Sequence, residues 1–181
     1  MVTLSLLLVI LAGVLLSHFS GMQMFQLSRS KLGANEESRR AINLLMDEVR
    51  TAKLVKIGSG SINTFNEVQP DEKQQGSAIQ IYPTASLTKY IRYFWDSSDN
   101  KLKRTTNGTS AVSIVANSIT NSLVFTSEDH LGNILENNRN NRVIGLTLQF
   151  YQIQFPIVKI GPGQLYDFYQ IRAKITRRSL E

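Results

Sequence analysis

The first 28 residues of the chain are almost entirely apolar and contain no charged side chain. From Met1 to Leu16 the run is interrupted only by Thr3 and Ser5, whose hydroxyls can bond back to helix carbonyls. A helix needs roughly 20 apolar residues to cross the hydrocarbon core of a bilayer. The pattern therefore predicts that residues 1–28 form the membrane-spanning half of a helix. The apolar side chains expected to face lipid or neighbouring helices are Leu4, Leu6, Leu7, Leu8, Val9, Ile10, Leu11, Val14, Leu15 and Leu16.

Three interpretations of this segment are open: a cleaved secretory signal, a plain anchor, or a helix that later packs against copies of itself. A secretory signal has a basic residue before its apolar run and small residues at a cleavage site after it. No Lys or Arg precedes the run here, and residues 17–21 do not form such a site. The signal interpretation is therefore disfavoured.

Residues 29–57 have the apolar period of an amphipathic helix. Asn35 is a candidate N-cap for the part of this stretch that follows it, up to Ile57. No proline separates it from the apolar segment, and only Gly21 and Gly33 weaken the connection, so we predict one helix of about fifty residues. The side chains predicted to pack this helix on a sheet are Ala41, Ile42, Leu45, Met46 and Val49.

Residues 58–181 alternate polar turn sequences with short runs of β-branched and aromatic residues, which is typical of strands. No helical pattern follows, so parallel βαβ units are not expected. The predicted fold class is α+β, with a long N-terminal helix packed on an antiparallel sheet. The predicted strands are 78–82, 90–95, 101–106, 121–126, 142–151 and 168–176.

Composition narrows the functional classes. The 181 residues carry a net charge of +6 and include no cysteine and two histidines. Disulfides, thiolate metal sites and a cysteine nucleophile are thereby excluded. The sequence shows no nucleophile elbow, P-loop, dinucleotide-binding glycine motif or zinc-protease motif, so we predict no enzymatic activity and no catalytic residue.

The whole pattern resembles the type IV pilin-like family, which includes minor pilins and the pseudopilins of type II secretion. The residues that carry the resemblance are Thr3 to Val9 for the apolar head and Glu37 to Ala52 for the amphipathic helix. Tyr93 to Arg104 is similar to a hairpin of minor pseudopilins, and Ala111 to Phe125 is similar to the segment that follows it.

This resemblance implies a structural subunit of a type IV pilus or a type II secretion-like filament. It implies a single-pass protein of the bacterial inner membrane, with its C-terminal domain in the periplasm and later on a filament or at the cell surface. The implied partners are other pilin-like subunits, the inner-membrane assembly platform and the lipid bilayer. The alternative is a membrane-anchored periplasmic binding domain, with DNA binding in an uptake system as one form of it.

The family's cleavage motif, a glycine followed by Phe-Thr-Leu-x-Glu, is expected upstream of Met1. Basic residues normally mark the cytoplasmic flank of a membrane helix. In this sequence Arg29, Lys31, Arg39 and Arg40 follow the apolar run and none precedes it. We therefore expect a basic leader, cut by the prepilin peptidase, upstream of Met1.

Two binding hypotheses concern the polar segments. The Asn-rich stretch from Glu128 to Asn141 offers many oxygen ligands, and some pseudopilins bind calcium in such loops, but no EF-hand spacing is present. No cofactor is predicted, and calcium is kept as the alternative. Lys101, Lys103 and Arg104 form a candidate nucleic-acid patch, although charges on the outer face of a strand are usually only solvated.

Overall fold

The computed structural model describes residues 2–107, 109, 111–138, 142–150 and 169–178. A single helix, α1 (Val2–Thr51), is followed in these residues by strands that alternate with turns. The strands are β1 (Leu54–Gly60), β2 (Phe65–Glu67), β3 (Gln75–Gly76), β4 (Ala78–Tyr82), β5 (Ile91–Asp96), β6 (Lys101–Thr106), β7 (Val112–Ala116), β8 (Phe125–Glu128), β9 (Val143–Phe150) and β10 (Tyr169–Thr176).

The helix has 50 residues, which confirms the prediction of one continuous helix. Asn35 lies inside it, so the prediction of an N-cap there is wrong. The prediction that the helix runs to residue 57 is also wrong, because β1 begins at Leu54. Val55 and Ile57 are buried on either side of the half-buried Lys56, which is the alternation of a strand and not of a helix.

The strands form two antiparallel sheets instead of the single sheet that the sequence predicted. Six strands are ordered β2-β1-β4-β5-β6-β7, and four are ordered β10-β9-β8-β3. No helix follows α1 in the described part of the chain, so the mixed α+β class holds.

Six of the ten described strands coincide wholly or partly with a predicted strand. Strands β4 and β6 have the predicted bounds, and β5 is displaced by a single residue. The predicted strand at Asn121 begins only at Phe125, and both β9 and β10 lie within their predicted ranges. Strands β1, β2, β3 and β7 were not predicted. The outer ends of the last two predicted strands, Tyr151 and Phe168, lie outside the described residues.

The chain divides into two compact units, Met1–Glu36 and Glu37–Glu181. The predicted change from the apolar to the amphipathic half was placed after Ser28, eight residues before this division. Every buried residue of the described chain lies from Ser38 onward. The hydrophobic core therefore belongs to the second unit.

Part of the core of the second unit lies between α1 and the six-stranded sheet, and the four-stranded sheet contributes further buried residues, among them Ile144, Leu146 and Leu148 of β9. Residues Ile57, Ile79 and Tyr93 are direct partners across β1, β4 and β5, and none of them is exposed. Glu48 of α1 reaches the hydroxyl of Tyr93, which places the helix on this face. Leu45, one turn before Glu48, is 1% exposed.

Candidate functional site

The apolar segment of α1 is the most distinctive surface of the first unit. Residues Thr3–Phe25 are long and apolar enough to cross a membrane, and none of them is buried inside the protein. The ten side chains predicted to face lipid or other helices are each 50% to 72% exposed. They include six consecutive residues, Leu6 to Leu11, so the apolar surface encircles the helix.

Such a surface has few stable environments. A helix that is apolar on all sides is normally surrounded by hydrocarbon or by other apolar helices. At 1.5 Å per residue, the 23 residues extend about 35 Å, slightly more than the thickness of a bilayer core. The segment can therefore act as a membrane span or as the core of a helical bundle.

In the second unit, the predicted packing face of α1 is partly enclosed. Ala41, Leu45 and Val49 are at most 1% exposed, whereas Ile42 and Met46 are half-buried. The first three are spaced four residues apart and form one line along the helix. The two half-buried residues lie at the margin of this line.

Glu48 connects α1 to the six-stranded sheet through two side chains. Its Oε1 accepts hydrogen bonds from Nε and Nη2 of Arg104 at 3.0 and 2.7 Å, and its Oε2 accepts one from the hydroxyl of Tyr93 at 2.6 Å. Burial and the Glu48 carboxylate raise the pKa of Tyr93 far above its usual value of 10.0. Hydrogen bonding to Glu48 likewise raises the pKa of Arg104.

A second carboxylate holds the same helix at the end of β7. Glu37 accepts hydrogen bonds from the backbone N–H of Asn117 at 2.7 Å and from its Nδ2 at 2.9 Å. Glu37 and Glu48 are eleven residues apart, which is close to three helical turns, so they lie on one side of α1. Sequence reasoning missed both residues, although their spacing relative to the apolar line could have indicated a contact at its flank.

The candidate nucleic-acid patch is neutralised by neighbouring carboxylates. Arg104 is paired with Glu48. The Nζ of Lys103 lies 2.7 Å from Oδ2 of Asp96 and 2.8 Å from Oδ2 of Asp99. The Nζ of Lys101 lies 3.5 Å from the same oxygen of Asp99. The hydrogen bond from Lys103 lowers the pKa of Asp96 to about 2. These three cations therefore stabilise the β5–β6 hairpin and its contact with α1.

The Asn-rich stretch places its carboxylates in separate networks. Asp129 Oδ1 accepts from the N–H groups of Gly132 and Asn133 at 2.7 and 2.8 Å, which closes a turn. The side chain of Glu128 is fully buried and is paired with Arg172 and Lys174. Among the described residues, no group of three Asp, Glu or His side chains is close enough to hold a metal. Residues 139–141 of this stretch lie outside the described part.

Another group of basic residues meets at the C-terminal end of α1. Arg50 and Lys53 lie there, and backbone hydrogen bonds bring Arg177 and Arg178 of the chain after β10 to the same place, with Arg142 beside them. This grouping of five basic residues was not predicted from the sequence. The reason is that these residues are separated by up to 128 positions in the sequence.

Comparison with known proteins adds no family: no family model, no curated protein and no solved structure matches this chain.

Proposed function

We propose that this chain is a structural subunit, a minor pilin or pseudopilin, of a type IV pilus or type II secretion-like filament, and that it acts without catalysis. The observation that supports the proposal is the composition of α1. One 50-residue helix begins with an exposed, all-round apolar segment and ends with a face buried in an α+β unit. A subunit that is stored in a membrane and then assembled by its helix needs both parts.

The physical basis of assembly is the similarity of lipid and helix-bundle environments. A leucine in lipid is already removed from water, so transfer into a bundle of apolar helices changes its hydrophobic free energy little. Packing between helices then decides the balance. In this proposal the subunit waits in the bacterial inner membrane as a single-pass protein, with the unit Glu37–Glu181 in the periplasm.

The proposed partners follow from the same mechanism. Other pilin-like subunits would surround the apolar segment in the filament, and an inner-membrane assembly platform would transfer the subunit out of the lipid. A prepilin peptidase would be a further partner. No cofactor is required for this role, and calcium in the Asn-rich stretch stays an untested alternative.

The membrane anchor is tested by extraction. Membranes containing the full chain are washed with alkaline carbonate, and a fragment beginning at Arg29 is compared with it. We expect the full chain to stay in the membrane pellet and the fragment to be found in the supernatant. Complete release of the full chain by the wash would contradict the anchor.

Assembly is tested by cross-linking within the apolar segment. The chain contains no cysteine, so Val14→Cys introduces a single thiol there. We expect oxidation to link Val14→Cys subunits to one another or to other subunits only in cells with an active assembly ATPase. The matched control is the same variant in cells that lack this ATPase. Equal cross-linking in both strains would favour an anchored domain that never assembles.

A further inference from the structure

Five basic residues converge at the C-terminal end of α1, and we call them the cationic cluster: Arg50, Lys53, Arg142, Arg177 and Arg178. Three hydrogen bonds bring them together. The backbone N–H of Arg178 donates to the carbonyl of Arg50 at 3.2 Å, and that of Arg177 donates to the carbonyl of Arg142 at 2.8 Å. Nη1 of Arg177 also donates to the carbonyl of Lys53 at 3.1 Å.

The cluster has an excess of positive charge. None of its five side chains makes an ion pair with another described residue, in contrast to Lys101, Lys103 and Arg104. A helix C-terminus carries only about half a negative charge, and a single cation compensates it. Most of the charge of the cluster is therefore left without a partner in the described chain.

Arg177 shows this excess most directly. Its Nε is buried and has no hydrogen-bond partner among the described residues. Burial, followed by the nearby charge of Arg142, lowers the pKa of its guanidinium. Lys53, Arg142 and Arg178 are exposed around it. A bound anion would reduce the repulsion among these cations.

The composition of the cluster favours phosphate groups. Four of its five members are arginines, whose planar guanidinium binds phosphate oxygens in a bidentate manner. All five side chains of the cluster are cationic, which suits them to the phosphate backbone of a nucleic acid and not to stacking on its bases. The net charge of +6 also repels a second copy of the chain at long range.

We propose that the cationic cluster binds the phosphate backbone of duplex DNA without sequence preference. This proposal is independent of the filament function, because a filament subunit can assemble whether or not it binds DNA. It also differs from the patch predicted from sequence, whose cations are already occupied by Glu48, Asp96 and Asp99.

The test is fluorescence anisotropy with a labelled DNA duplex of about 30 base pairs, which is long enough to present several phosphates to the cluster. The full chain is kept in a neutral detergent, and salt is varied from about 50 to about 200 mM. We expect the logarithm of the binding constant to fall linearly with the logarithm of the salt concentration. Each phosphate contact contributes a slope of about −0.9.

The variant Arg142→Gln/Arg178→Gln removes two exposed cations of the cluster. If both contact phosphates, the slope should become less negative by about 1.8, and the affinity at ~100 mM salt should fall about 60-fold. The charge-matched control is Arg39→Gln/Arg40→Gln, which removes two exposed cations elsewhere on α1 and should leave the binding almost unchanged.

Circular dichroism checks that the variants are folded. If the double variant does not fold, Arg178→Gln alone should reduce the affinity about eightfold at ~100 mM salt. The proposal is overturned if the parent does not bind DNA at the lowest salt, or if the control pair weakens binding as much as the cluster pair. The proposal is also overturned if polyglutamate binds as tightly as DNA and is weakened as much by the cluster variant. The cluster would then bind acidic polypeptides.

Discussion

At the scale of single residues, the stability of the second unit depends on the side of α1 that faces the sheet. Leu45 is 1% exposed, while its neighbour Leu44 is 37% exposed. Truncating a buried leucine removes its transfer free energy and leaves a cavity, whereas truncating an exposed one does little. The two residues therefore form a matched pair of the same chemistry.

We expect Leu45→Ala to reduce the free energy of unfolding by roughly 2–5 kcal/mol and Leu44→Ala by less than about 1 kcal/mol. Thermal and denaturant unfolding of the fragment beginning at Arg29, followed by circular dichroism, measures both. Equal midpoints for the two variants would show that α1 does not cover the core as described.

The raised pKa of Tyr93 predicts that the free energy of unfolding depends on pH. Its pKa is raised in the folded protein by burial and by Glu48, so the unfolded chain ionises first as the pH rises above about 10. The stabilisation from neutral Tyr93 is thus complete below the pKa that this residue has in the unfolded chain, and it is lost as the pH rises above that value. Tyr93→Phe lacks this ionisation but also lacks the hydrogen bond to Glu48.

We therefore expect Tyr93→Phe to be less stable than the parent near neutral pH, by about 1–2 kcal/mol. The difference should shrink as the pH rises above about 10, because only the parent then loses stability through this residue. Unfolding midpoints of both proteins across this pH range measure it. A difference that stays constant with pH would contradict the role assigned to Tyr93.

At the scale of elements, the position of β10 depends on a contact that spans three strands. Glu128 of β8 passes over Gly145 of β9 and pairs with Arg172 and Lys174 of β10. A Cβ at Gly145 would collide with the side chains of Thr126 and Glu128, so glycine leaves the space for this crossing.

We expect Glu128→Gln to allow a two-residue slip of β10, because such a slip preserves the inward alternation of its apolar residues. Two cysteine pairs distinguish the registers. Gln149→Cys/Gln170→Cys links the observed register, in which these residues are partners, and Thr147→Cys/Gln170→Cys links the slipped one. Oxidation should give the second link only when it is combined with Glu128→Gln.

The control for this experiment is Glu67→Gln, which removes the carboxylate of the Lys56–Glu67 ion pair at another sheet edge. It should leave the first link complete and the second absent. If Glu128→Gln behaves in the same way as this control, the packing of the apolar face and not the ion pairs sets the register of β10.

At the scale of the whole molecule, the two units differ in whether they have a hydrophobic core. The buried residues of the described chain all belong to the unit Glu37–Glu181, while the apolar segment Thr3–Phe25 makes no core. The second unit should therefore fold without the first. The apolar segment should in turn determine where the molecule is located.

We expect the fragment beginning at Arg29 to unfold cooperatively with a midpoint within about 2 °C of that of the full chain in detergent, since for a protein of this size such a shift corresponds to no more than about 1 kcal/mol. Differential scanning calorimetry of both proteins measures this. A fragment that is unfolded at room temperature would show that the apolar segment contributes to the core.

The elements whose sequence has a clear pattern of apolar and polar residues could be predicted. The apolar run, the single long helix, the α+β class and the strands β4, β5 and β6 all follow from side chains close together in sequence. The same local reasoning extended the helix too far, since the strand alternation of Val55, Lys56 and Ile57 was too short to outweigh a helical pattern continued from upstream.

The sequence alone determined where the chain is apolar, where it is amphipathic and where strands β4, β5 and β6 lie, because these properties depend on neighbouring residues. Only the tertiary structure decided that the strands form two sheets, that Glu48 and Glu37 hold the helix, and that Lys101, Lys103 and Arg104 are neutralised. It also brought together the cationic cluster. The physical reason is that charge pairing and strand order depend on contacts between distant segments, which no local pattern records.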